Sequence, residues 1–147
     1  MHNLTYKQMC SEDDTDIPQL VTIHQTPEIA QYLSVSDNYF YYATNSENVY
    51  FYKVYENNKL IGSIHLEKQG IVLVMDILVF PESQRMGLGT TIIKDIQNDV
   101  FELHYERIEI SIDERNAASL RLFENAGFIR TSKDDELINF AYQRRTD

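Results

Sequence analysis

Cysteine is almost missing from this chain of 147 residues. Cys10 stands alone, which excludes an internal disulfide framework and fits a reducing compartment. Proline is scarce, at positions 18, 27 and 81, and no Pro/Gly/Ser-rich stretch interrupts the chain as a linker would. No apolar run reaches the ~18–20 residues of a membrane helix. The opening Met1-His2-Asn3-Leu4 puts no basic region before an apolar stretch, so no secretory signal is expected and the expected address is the cytoplasm. Positive charge is the poorer sign, with 13 Lys and Arg against 23 Asp and Glu, for a net charge of −10. Residues 1–73 hold four basic and nine acidic side chains and residues 74–147 hold nine and fourteen, so each part carries −5. The basic footprint that neutralises phosphates in nucleic acid binding is therefore absent. An acidic surface favours a cationic partner and suits an amine substrate; it also keeps a protein soluble.

What is present is the composition of one packed domain, 43% apolar and 24% charged. Residues 1–147 read as a single unit without internal repeats. Leu4 to Met9 alternates as a first strand. Asp13-Asp14-Thr15-Asp16 supplies N-cap candidates for a helix with Pro18 near its first turn, ending about His24. A second short helix follows Pro27. Tyr50–Tyr55 and Leu60–Leu66 read as a hairpin turning at Glu56-Asn57-Asn58-Lys59. Ile71 to Phe80 is nearly all apolar, the pattern of a strand buried on both faces. Leu88, Ile92, Ile93, Ile96 and Val100 form the stripe of a helix opening near Gly87. A strand from Ile108 to Ile112 and a helix from Asn116 to Ala126 follow, with Gly127 at the left-handed cap position. Phe128 to Thr131 and Leu137 to Gln143 close the chain as an antiparallel pair. The expected fold is α/β: a central mixed, mostly antiparallel twisted sheet of six to seven strands flanked by about four helices.

The most informative stretch is Gln84-Arg85-Met86-Gly87-Leu88-Gly89-Thr90-Thr91, between the central strand and a helix. Glycines there let the backbone approach a ligand and leave amide N–H groups unpaired. Those amides, with the helix dipole behind them, suit a pyrophosphate, and Arg85 adds charge. A plain tight turn is the competing reading. A dinucleotide fold would want a third glycine at position 92, which is Ile, and the Gly-Lys-Ser/Thr of a nucleotide loop is absent.

The segment Gln84-x-x-Gly87-x-Gly89 resembles the acetyl-CoA signature, Gln/Arg-x-x-Gly-x-Gly/Ala, of the GNAT superfamily of N-acetyltransferases. The preceding Asp76-Ile77-Leu78-Val79-x-Pro81-Glu82 is similar to that family's fourth strand. The later run from Asn116 to Phe128 is similar to its second cofactor motif. The resemblance covers Leu60 to Tyr142; the first fifty-odd residues match in element order only. It implies that main-chain groups of Ile77, Leu78 and Val79 pair with the pantetheine arm as an added strand. It implies that amides from Gln84 to Thr90 hold the pyrophosphate, Met86 and Leu88 among them. Val79 N–H would stabilise the thioester oxygen as it gains charge, and Asn116, Ser119 and Phe123 would line the arm. For Asn116 a helix N-cap is the alternative, and the two roles are compatible.

Phe123 departs from the family, where many members carry a tyrosine whose hydroxyl protonates the departing thiolate. Water, Ser119 or another tyrosine would have to substitute, or the thiolate leaves unaided. Asp76, a lone carboxylate in an apolar strand, is the candidate base, with a structural carboxylate as the competing reading. Ser111 falls where some protein-acetylating relatives have a glutamate base. Glu67, Glu109 and Asp113 read as solvated charges, and His24 and His65 as structural, with no metal site. The aromatic residues Tyr39 to Tyr42 and Tyr50 to Tyr52, placed on a loop and a strand, could hold an ammonium group or simply pack. The resemblance thus implies acetyl transfer from acetyl-CoA to a primary amine of a small molecule or protein by direct attack in a ternary complex. The alternative is a non-catalytic acyl-CoA-binding module. Open strands near the C-terminus leave room for a homodimer.

Overall fold

The structure, a computed structural model, describes residues 3–32 and 38–144. Seven strands form one sheet in the order β1-β2-β3-β4-β5-β7-β6. They are β1 (Leu4–Gln8), β2 (Val49–Glu56), β3 (Lys59–Gln69), β4 (Val72–Val79), β5 (Arg107–Asp113), β6 (Ile129–Asp134) and β7 (Leu137–Gln143). Among the described residues, five α-helices accompany them: α1 (Ile17–His24), α2 (Pro27–Ala30), α3 (Tyr39–Asn45), α4 (Leu88–Gln97) and α5 (Ala117–Asn125). Every neighbouring pair of strands is antiparallel except β4 and β5, which run parallel.

Local chemistry explains most boundaries. The β2–β3 hairpin turns on Asn57 and Asn58, both left-handed at φ 51° and 66°, which asparagine tolerates better than most residues. Helix α5 ends in two bonds around Gly127 (φ 91°): Phe128 N–H donates to the Phe123 carbonyl at 3.0 Å, and Gly127 N–H to Glu124 at 3.1 Å. The rings of Phe123 and Phe128 then meet edge to face, as this cap motif favours. Asp16 occupies the N-cap of α1, but its side chain does not cap. Instead Asp14 and Asp16 grip the buried Lys53 on β2, with Nζ–carboxylate distances of 2.8 and 2.9 Å. Burial opposes the ammonium charge, yet the two carboxylates win and hold the Lys53 pKa above its ordinary value.

Three expectations need correction. Tyr39 to Tyr42 lie on α3 rather than a loop. Intrinsic strand preference is worth up to ~1 kcal/mol, whereas burying one phenylalanine contributes roughly 1.5–3 kcal/mol. Helical spacing buries Phe40 and Ala43 together, so packing decides. Val100 lies beyond α4 and is exposed, because Asp99 adopts φ 60° and breaks the helix. Finally, β4 is not buried on both faces throughout. Leu73 and Met75 face a core built with α4 and α5, and Leu78 and Phe80 face a second core under α1 to α3. Asp76 is exposed among them.

At Gly62 the β4 main chain leaves no room for a side chain: a Cβ there would run into the Leu78 carbonyl oxygen. Gly62→Ala is therefore expected to destabilise the fold by roughly 1–3 kcal/mol, read as a lower urea unfolding midpoint at unchanged slope.

Candidate active site

Strands β4 and β5 pair only from Val72 to Val74 against Arg107 to Glu109. Both then continue, to Val79 and Asp113, without touching as a ladder. The gap they leave is a cleft of about 540 Å³, within the range of small-ligand sites. Its walls include Asp76 to Val79 on one side and Ile110 to Asp113 on the other.

The register tells which main-chain groups face the gap. Phe80 N–H donates to the Ile61 carbonyl at 2.8 Å. Antiparallel alternation then gives Leu78 and Asp76, opposite Ser63 and His65, the bonds to β3. Ile77 and Val79 turn their N–H and C=O groups the other way, into the cleft. Leu78 thus contributes side chain and not main-chain bonds, a correction to the expectation of three consecutive pairing residues. The Val79 carbonyl is already met by the Gln84 side chain, whose Nε2 donates to it at 2.9 Å. Val79 keeps its N–H.

The loop after β4 makes a donor cradle. Arg85 and Gly87 are both left-handed, at φ 65° and 78°, and α4 starts directly behind Gly87. A left-handed residue followed by a helical one turns successive N–H groups into one concavity. The N–H groups of Gly87, Leu88, Gly89 and Thr90 meet no acceptor among the described residues; the first helical bond is Thr91 N–H to the Gly87 carbonyl, at 3.2 Å. Gln84 does not belong to the donor set, because its N–H closes a turn onto Pro81 at 3.3 Å. Arg85 lines the cleft, while Met86 is exposed and lies outside its walls. Gly89 faces α5, where a Cβ would meet the Leu122 side chain at 2.9 Å.

Helix α5 forms the opposite wall with Asn116, Ala118, Ser119, Leu122 and Phe123. Asn116 caps it, Oδ1 accepting from Ser119 N–H at 3.3 Å, and its amide group has no described partner. Phe123 is buried yet reaches the cleft, one turn after Ser119. Backbone donors and helix dipole at one end, strand groups facing the gap along the middle and a lone carboxylate beyond suit an anion at one end and an extended chain along the cleft.

The family profile for the acetyltransferase (GNAT) family matches residues 17–128. The chain belongs to this family. No functionally curated protein matches the chain in sequence. Among solved structures it is similar to spermidine N-acetyltransferase from Vibrio cholerae in complex with CoA and spermine, at 16% identity and TM-score 0.80, covering 96% of this chain and 95% of that one. It is similar to aminoglycoside acetyltransferase AAC(6')-Ib in complex with coenzyme A and kanamycin, at 18% and 0.80, covering 97% and 95%. A third is the Campylobacter jejuni N-acetyltransferase PseH in complex with acetyl coenzyme A, at 13% and 0.77, covering 97% and 100%. At such identities the likeness carries the GNAT fold.

On the second face of this GNAT sheet the cleft meets Glu28, Ile29 and Tyr32 beside Asp76. The Asp76 side chain has no hydrogen-bond partner among the described residues. Its carboxylate is open to the cleft but crowded by apolar walls, and the desolvation pushes its pKa up to about 6. On β3, His65 stacks on Tyr39, and its Nδ1 shares a hydrogen bond of 2.7 Å with the Tyr39 hydroxyl. Burial lowers the His65 pKa. Sequence reasoning missed this pairing, because Tyr39 and His65 are remote in sequence and share neither motif. The supposedly solvated charges are all engaged: Glu67 accepts from the Tyr42 hydroxyl at 2.5 Å, Glu109 bonds Arg107 at 2.8 Å, and Asp113 is held by Arg115 at 2.9 Å. Hydrogen bonds from Arg115 lower the Asp113 pKa to about 2. Ser111 donates to Asn139 at 2.6 Å. No helix among the described residues is long and apolar enough to cross a membrane.

Removing the left-handed residue should collapse the donor cradle. Gly87→Val is expected to weaken coenzyme A binding by on the order of tenfold or more, measured by calorimetric titration with circular dichroism as the folding control. Gly89→Leu should do the same by forcing α4 away from Leu122.

Proposed function

We propose that the protein is an N-acetyltransferase that moves an acetyl group from acetyl-CoA to a primary amine, by direct attack while both substrates are bound. The observation that carries this reading is the continuity of one cleft, from free N–H groups at the start of α4, past the main chain of Ile77 and the N–H of Val79, to the unpartnered Asp76 carboxylate. Acetyl-CoA supplies an activated thioester; the chain's own residues bind, orient and move protons. The amides of Gly87 to Thr90, with Arg85, take the pyrophosphate. Ile77 and the Asn116 amide hold the arm, and Leu78 and Phe123 pack against it. Val79 N–H is the donor for the carbonyl oxygen as it gains charge, a contribution of roughly 3 kcal/mol in comparable sites.

Asp76 takes the proton that the amine must lose, directly or through water. A base with a pKa near the working pH is more useful than one fully ionised at pH 4. Phe123 has no hydroxyl, so the departing thiolate takes its proton from water or from Ser119, one helical turn away. Among the described residues, the acceptor end carries Glu28 and Asp76 without a free cation beside them, since Arg115 is engaged by Asp113. That favours a cationic acceptor such as a polyamine, an aminosugar or a lysine side chain over one bearing its own carboxylate. Spermine and kanamycin in the neighbouring structures are amines of this kind.

A second reading rests on Phe123: a module that binds acyl-CoA without turning it over. The two part on thiol release, which only the enzyme gives when an amine panel is supplied with acetyl-CoA. Within the enzyme reading, Asp76 works when ionised, so kcat/KM should rise with pH through about 6 and level off above it. Asp76→Asn is expected to lower kcat/KM by about a hundredfold and to abolish that limb, while coenzyme A affinity is unchanged. An acid limb that persists in Asp76→Asn assigns the base elsewhere.

A further inference from the structure

The acceptor end of the cleft has walls from the two parts of the sheet that have stopped pairing. Glu28, Ile29 and Tyr32, in and just after α2, belong to one part, and Ser111 and Asp113 at the end of β5 to the other. Arg115 spans them. Its guanidinium is held on its own side by Asp113, through Nε at 3.0 Å and Nη2 at 2.9 Å. The Asp113 carboxylate also accepts Arg115 N–H at 2.9 Å, and the Asp113 carbonyl accepts Asn116 N–H at 2.9 Å, so the turn that carries Arg115 is itself tied down. From this anchor Nη2 reaches across to the Gln31 carbonyl at 3.2 Å. The guanidinium also lies 5.7 Å from the centre of the Tyr32 ring, and the Tyr32 hydroxyl is 3.5 Å from the Arg115 carbonyl. A planar fork that bonds a carboxylate on one side and a carbonyl on the other makes a rigid spacer.

We propose that Arg115 is a positioning residue that straps the α2 wall to the end of β5 and so sets where Ile29 and Tyr32 stand at the acceptor end. The word acceptor rests on the N-acetyltransferase reading; the strap itself does not. Asp113 neutralises Arg115, so Arg115 serves as a spacer and not as a receptor for a substrate anion. It touches neither reacting atoms nor the donor cradle, and its loss acts on the geometry of one end only.

The test uses the full chain and two variants that change charge in opposite directions, Arg115→Ala and Asp113→Asn, with Arg115→Lys as a variant that keeps charge but lacks the fork. Hydrogen exchange is followed at the amides of Ala30, Gln31 and Tyr32, which are bonded within their own turn. Both charge-changing variants should speed exchange there by about tenfold, with Arg115→Lys between them and the parent. With spermine and kanamycin as probes, KM for the amine should rise about tenfold in both variants while kcat changes less. Coenzyme A affinity should stay at the parent value. Unchanged exchange overturns the proposal. So do KM values that move in opposite directions with the sign of the charge change, since they would make Arg115 an electrostatic element. If exchange rises in both variants while the parent releases no thiol with any amine, the strap stands and the acetyltransferase reading falls.

Discussion

Hydrogen bonding between β4 and β5 lasts only three residues on each strand, and almost everything distinctive about the molecule follows from its early end. Strand main-chain groups need partners, and leaving them unmet away from water costs several kcal/mol. In most parallel pairs the next strand supplies those partners. Here the sheet keeps both strands extended yet apart, so the main chain of Ile77 and the N–H of Val79 face the gap, while Gln84 meets the Val79 carbonyl. The two parts stay in register because each is braced by its own antiparallel neighbours, β3 behind β4 and β7 behind β5.

The split also divides the labour between the two faces. On the α4 and α5 face, isoleucines and leucines pack densely under the helices, and at the start of α4 a left-handed Gly87 leaves successive N–H groups bare. On the other face acidic and aromatic side chains edge the second core: Tyr39 and Tyr42 of α3 stack on His65, and Tyr42 bonds Glu67. Unpaired N–H groups thus gather on one side and carboxylates on the other. Asp76 stands where the two meet, with the apolar strand around it raising its pKa.

Much of the fold was legible because the signals were local. The alternation of Ile108 to Ile112, the paired asparagines at the hairpin and the glycine after α5 each state their own structure. Both motifs that align the chain with the GNAT family fall on the cleft walls, at Gly87 to Thr90 and at Asn116 to Phe123. What stayed illegible needed distance. The strand-like aromatics of α3 became helical only because Phe40 and Ala43 are buried under the sheet. The bonds of Tyr39 to His65 and of Arg115 to Gln31 join residues that no local pattern links. Gln84 shows the same limit at short range: it is a signature residue, yet its N–H and side chain secure the turn, and the free donors come after it.

By itself, the order of residues determined the succession of strands and helices, the cap and turn positions, and the glycine-bearing loop, since each depends on φ preference, periodicity or hydrogen bonding within a few residues. Only the tertiary structure decided where β4 and β5 part, which main-chain groups face the gap and which carboxylates are free. Those outcomes depend on strand register and on contacts between elements far apart along the chain, and neither is encoded in any single segment.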